Sequence, residues 1–71
     1  MSQVIPASSQ EKRRERIVSY VTRHGFARVE ALAELFEVSA MTIHRDLEAL
    51  AADNLVERIR GGARSVSPSM S

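Results

Sequence analysis

No cysteine occurs among the 71 residues. That excludes a disulfide framework and any cysteine-based zinc site, and it fits a reducing compartment. Only two histidines are present, His24 and His44, too few ligands for a metal site without cysteine. No apolar run approaches the ~20 residues of a membrane span. The opening "MSQVIPASSQ" has neither the basic start nor the long apolar stretch of a secretion signal. A cytoplasmic protein with no membrane partner, no metal and no cofactor is expected. Paired base and nucleophile are also missing, and so small a chain leaves no room for a substrate pocket, so an enzyme is not expected. Net charge is only +1, so bulk electrostatics do not announce a polyanionic partner. There is no internal repeat.

Apolar residues make up 44% and charged residues 27%, the composition of one small globular domain. A chain of this size buries roughly 60% of its unfolded surface, so its stability is modest. The charges are segregated. Lys12, Arg13, Arg14, Arg16, Arg23 and Arg28 crowd the first half, Glu30, Glu34 and Glu37 follow, and Arg58, Arg60 and Arg64 form a second basic cluster. Such segregation can orient a protein on a polyanion, although charge runs also serve as plain solvated surface.

Residues 1–8, polar and interrupted by Pro6, read as a flexible arm. "SSQE" offers a capping box, with Ser8 as N-cap and Glu11 three residues on. The first helix is expected from about Ser9 to His24, with Ile17, Tyr20 and Val21 as its apolar stripe and Val18 beside it. Gly25 ends it. "FAR" (26–28) is too short for more than a single bridge of extended chain. A second helix begins near Glu30 with Leu32, Leu35 and Phe36 inward. It lacks a good cap, and Arg28 sits unfavourably at the positive end of its dipole. "FEVS" makes a tight corner. Ser39 caps a third helix, about 40–53, whose buried side is Ile43, Leu47 and Leu50. Met41, Arg45 and Glu48 fall opposite, with Thr42 and His44 beside them. Asp46 lies nearer the buried edge, where a salt bridge to a basic side chain is expected. Asn54 stops the helix by taking positive φ. "LVERIRGGARSV" then changes period to strand alternation around a Gly61-Gly62 hairpin turn. "SPSMS", within 67–71 a linker or tail, contains Pro68.

Helix, short extended piece, helix, tight turn, helix and hairpin make a mainly α fold with a small β-hairpin. That is a winged helix-turn-helix of three helices and a two-stranded wing, over residues 9–66. Its core would be Ile17, Tyr20, Val21, Leu32, Leu35, Phe36, Val38, Ile43, Leu47, Leu50, Leu55, Val56 and Ile59.

"VSAMTIHRDLEAL" resembles the V-S-x-x-T-I-R-R-D-L-x-x-L of the DeoR family of bacterial transcriptional regulators, and "RGGA" resembles that family's wing glycines. "LAELFEVS" supports the likeness, which covers about residues 10 to 64. The resemblance implies sequence-specific binding of double-stranded operator DNA, in most members as a repressor of sugar or nucleoside catabolic operons. It also implies a C-terminal domain, outside this chain, that binds an effector such as a phosphorylated sugar and mediates oligomerisation. On this reading the chain is an excised DNA-binding domain, itself a monomer, of a homo-oligomeric protein. Three positions depart from the family pattern. His44 stands where the first Arg of R-R-D is usual, Arg28 where a small capping residue is common, and Glu37 where Gly is frequent.

The third helix can enter a major groove about 12 Å wide by its N-terminal half. Ser39 and the free N–H groups of the first turn can meet a phosphate. Met41 and Thr42 can lie against a thymine methyl, and Arg45 can bond O6 and N7 of guanine. His44 can donate to a phosphate or base, and Glu48 can accept from cytosine or orient Arg45. Arg58, Arg60 and Arg64 flank the Gly61-Gly62 tip of the wing, about 56–66, which suits phosphates or a narrow minor groove. Arg13, Arg14 or Arg16 can hold the backbone from the first helix, and Arg28 bears on which DNA is preferred. The alternative is a winged-helix protein-interaction module, since fold does not fix function. Such a module would favour aromatic anchors on the exposed third-helix face, which carries Met, Thr, His and Arg instead.

Overall fold

The computed structural model describes residues 8–66, the side chain of Ser8 excepted. Of the expected arm (residues 1–8), residues 1–7 lie outside the described residues, as do the tail (67–71) and the capping role of the Ser8 side chain, whereas the backbone of Ser8 already belongs to the first helix. Six elements follow one another: α1 (Ser8–His24), β1 (Phe26–Arg28), α2 (Val29–Phe36), α3 (Ala40–Ala52), β2 (Val56–Ile59) and β3 (Gly62–Ser65). This is a winged helix-turn-helix. No helix among the described residues is long and apolar enough to cross a membrane.

Local chemistry sets the helix ends. Gly25, at φ 84°, ends α1 and donates its N–H to the Val21 carbonyl at 2.6 Å. Glu37 ends α2 in the left-handed region at φ 58°, where a non-glycine residue costs roughly 1–2 kcal/mol. The strain is accepted because the turn must be short. Val38 donates back to the Ala33 carbonyl at 3.0 Å, which directs the chain into the corner before α3. Ser39 caps α3 by accepting the Thr42 N–H at 3.1 Å, one of the donors that a helix start leaves free. Asp53 closes α3, one residue beyond the helix end, and Asn54 takes φ 61°.

The wing is larger than its sequence suggests. "FAR" is not a single bridge but a three-residue strand paired antiparallel to β3, with Phe26 opposite Arg64, Ala27 opposite Ala63 and Arg28 opposite Gly62. β2 pairs with the other edge of β3, giving the order β1-β3-β2. Short strands form here because both edges of β3 are occupied and backbone groups are satisfied in pairs. The hairpin turn is also displaced by one residue. Ile59 is the register partner of Gly62, so Arg60 and Gly61 make the turn and Gly62 begins β3.

The core gathers Ile17, Val21, Ala27, Val29, Leu32, Ile43, Leu47, Leu50, Val56 and Ala63 between the helices and the sheet. Tyr20, Phe36 and Val38 pack against it half-buried, and Ile59 is likewise half-buried. Two expected core residues face solvent instead: Leu35 is 55% exposed and Leu55 45%. α2 begins at Val29 rather than Glu30, and buried Val29 turns the inward face towards Phe36 and Ala33. Leu35 is then left about 110° from the centre of that face. Leu55 sits in the bend after α3, its N–H held by the Leu50 carbonyl at 2.9 Å, and Val56 takes the inward place as β2 begins.

Candidate nucleic-acid interface

The outer face of α3 is open. Met41 is 64% exposed, and His44, Arg45 and Glu48 are exposed with it. They share this face because Ile43, Leu47 and Leu50 are pulled into the core on the opposite side. Thr42 is half-buried, and its hydroxyl lies 3.1 Å from that of Ser39. These two residues therefore serve the cap as well as the surface. Arg45 has no hydrogen-bond or ion-pair partner among the described residues, so its guanidinium is free to meet a ligand; Glu48 does not restrain it.

Asp46 is fully buried on the inner side of the same helix, its side chain 1% exposed. Arg13 and Arg14 reach across from α1 to hold it. Arg13 Nε donates to one carboxylate oxygen, and Arg13 Nη2 (3.1 Å) and Arg14 Nε (2.9 Å) to the other. Burial pushes the Asp46 carboxyl up, but the hydrogen bonds and charges of the two arginines outweigh it and hold the group below the usual carboxylate range. The hydrogen bond to Asp46 likewise raises the Arg13 guanidinium, against the desolvation that lowers it. The expected salt bridge of Asp46 is thus present. It removes Arg13 and Arg14 from the side chains free to hold a polyanion; Arg16 stays exposed.

The wing arginines divide in two. Arg60 is exposed at the hairpin turn beside Gly61, whose φ of 77° needs glycine. Arg58, by contrast, is drawn onto α3. Its Nη2 lies 3.3 Å from His44 Nδ1, its Nη1 3.5 Å from the His44 carbonyl and 3.8 Å from Glu48 Oε2. Its Nε is buried without a partner. Arg64 pairs with its cross-strand neighbour Glu57 at 3.0 Å, and both are more than half exposed. Gly62 is buried in β3, where a Cβ would run into the Ala27 carbonyl oxygen.

Arg28 is exposed at the end of β1 and stands at the N-cap of α2 with no side-chain cap bond. The missing cap is supplied from elsewhere: the Val29 N–H donates to the Gly61 carbonyl at 2.9 Å. The tip of the wing and the start of α2 are therefore one fixed corner, carrying Arg28 and Arg60. Sequence reading missed this bond, since it joins residues 32 positions apart and only the uncapped start of α2 hinted at it.

Residues 13–69 match the family model described as the DeoR-like helix-turn-helix domain. The chain is 43% identical over 61 residues to the glycerol-3-phosphate regulon repressor of Escherichia coli (strain K12), covering 86% of this chain and 24% of that protein. It is 42% identical over 55 residues to the lactose phosphotransferase system repressor of Streptococcus mutans, covering 78% and 22%. The HTH-type transcriptional repressor CsqR of Escherichia coli (strain K12) is 31% identical over 55 residues, 78% of this chain and 21% of that protein. The chain spans about a quarter of the length of these relatives. No solved structure matches it at significance.

Proposed function

Because the chain belongs to the family of DeoR-like helix-turn-helix domains, which bind DNA to regulate transcription, we propose a specific docking for it on an operator. The N-terminal half of α3 enters the major groove. Arg45 bonds O6 and N7 of a guanine, Met41 and Thr42 lie against a thymine methyl, and Ser39 with the first-turn N–H groups meets a phosphate. Glu48, beside Arg58, limits what can approach the end of that face. The corner formed by Arg28, Arg60 and Gly61 rests on the backbone or in the minor groove, with Arg64 joining it. One observation carries this reading: Arg45 is exposed and unpaired among the described residues on the outer face of α3, and Arg28 and Arg60 are exposed at the corner where the wing tip meets α2.

The protein to which this domain belongs is a cytoplasmic homo-oligomeric repressor of a sugar or nucleoside catabolic operon. Its effector, such as a phosphorylated sugar, binds a further domain. The names of two relatives, a glycerol-3-phosphate regulon repressor and a lactose phosphotransferase system repressor, support the repressor reading.

Titration of the chain with duplex DNA, followed by amide NMR, tests the docking. Shifts are expected at 28–29, 39–48 and 58–64. Shifts confined to Tyr20, Leu35 and Phe36, which line a cleft between α1 and α2, would instead point to a protein-interaction module.

A further inference from the structure

His44 is the exposed α3 residue whose ring the wing grips. Arg58 Nη2 lies 3.3 Å from His44 Nδ1. A guanidinium has five N–H donors and no acceptor. A hydrogen bond between these atoms can run in one direction only, from Arg58 to an unprotonated Nδ1. In the neutral ring the proton then resides on Nε2, and which nitrogen carries it is set by the bond the other makes. The grip has more than one point. Arg58 Nη1 also lies 3.5 Å from the His44 carbonyl and 3.8 Å from Glu48 Oε2. Arg58 itself is only 27% exposed, so it is seated between β2 and α3.

We infer that Arg58 is a positioning residue for DNA reading, which fixes His44 as the Nε2–H tautomer and so makes its outer nitrogen a hydrogen-bond donor towards the major groove. This rests on the proposed docking of α3. A fixed donor suits the acceptors of guanine (N7, O6), adenine (N7) and thymine (O4). Cytosine offers only the N4 amino donor there, so cytosine is the base that His44 rejects. Arg58 thereby adds sequence information without touching DNA, in contrast to Arg60.

Two measurements on the full chain decide this. The first needs no DNA. Long-range 1H–15N spectra of the imidazoles, taken in alkaline buffer, should show an unprotonated Nδ1 and a protonated Nε2 for His44. Arg58→Ala should give a mixture of both tautomers, and Arg58→Lys, still a pure donor, should restore the single form. A protonated Nδ1 in the parent, or an identical pattern in parent and Arg58→Ala, overturns the inference. The lysine variant and circular dichroism separate loss of the bond from loss of the fold.

The second is selection from randomised duplexes. The parent should disfavour cytosine at one position by about 2- to 10-fold, the range of one neutral hydrogen bond. Arg58→Ala should lose that discrimination while keeping the guanine preference due to Arg45. Uniform weakening of all sequences by Arg58→Ala would make Arg58 a phosphate contact and overturn the inference. A parent that shows no sequence preference at all would remove the docking and the base contact with it, while the nitrogen shifts still decide the tautomer.

Discussion

Asp46 is a charge placed where water does not reach, and its two arginines decide whether that placement stabilises the fold. Removing one partner of a buried ion pair costs about 3–5 kcal/mol, and the part-exposed arginines here bring the figure to about 2–3. A chain of this size holds only about 4–10 kcal/mol in total. Asp46→Asn should therefore lower the urea midpoint by about a fifth or more, and an unchanged midpoint would show that the pair contributes nothing. The same group sets the acid limb. Its folded pKa lies below its unfolded value of about 3.9. The stabilisation is thus complete above that value and disappears as pH falls below about 4. Unfolding measured against pH should lose that part of its acid slope in Asp46→Asn. On the opposite side of the same helix, Arg45→Ala should cost about 1–3 kcal/mol of operator binding and relax preference at one base pair. Equal binding of operator and random duplex by mutant and parent would contradict base reading. Both sides of this helix were legible in "SAMTIHRDLEAL", because 3.6-residue periodicity separates Ile43, Leu47 and Leu50 from Met41, Arg45 and Glu48. The partners of Asp46 were not, since nothing in the run 12–16 says which arginines turn inward.

At the scale of elements, the wing is where local reading and structure part. Glycine twice in succession signals a turn, but the two residues do different things. Gly61 supplies positive φ with open space around it, whereas Gly62 lies flat in β3 beneath the Ala27 backbone. Gly61→Ala should cost about 1 kcal/mol, the penalty for a side chain in the left-handed region. Gly62→Ala must push β1 away from β3, at about 2–3 kcal/mol for overpacking against backbone that cannot turn aside. Thermal unfolding should rank them in that order, with about 4–8 °C for each kcal/mol in so small a domain. The reverse order would mean that β1 is not seated on β3. The same misplacement explains why "FAR" looked too short to be a strand. Three residues carry no readable period, and β1 exists only because β3 offers a free edge. Leu35 failed for a related reason. An eight-residue helix has so few apolar positions that one more at its start, Val29, turns the buried face.

Across the whole molecule, a net charge of +1 understates what a polyanion would meet. Arg13 and Arg14 are committed to Asp46, and Arg58 to His44 and Glu48, while Arg28, Arg45 and Arg60 stand exposed. Arg64 is intermediate. Its pair with Glu57 is open to water on both sides, and exposed pairs contribute only about 0–1 kcal/mol, so a phosphate can draw it away at little cost. The salt dependence of binding should follow this division rather than the total of cationic residues. Each phosphate neutralised contributes about 0.9 to the slope of log affinity against log salt. Arg28→Ala, Arg60→Ala and Arg64→Ala should each lower that slope by up to this amount, and Arg60→Ala and Arg64→Ala should weaken all sequences alike. Arg14→Ala should leave the slope where it is and reduce stability instead, because its charge is spent inside the protein. Fluorescence anisotropy with a labelled duplex at several salt concentrations, run beside urea unfolding of the same variants, separates the two groups. A slope that falls equally for Arg14→Ala and Arg60→Ala would mean that DNA meets the α1 arginines as well, and that α3 does not approach it by the face carrying Met41 and Arg45.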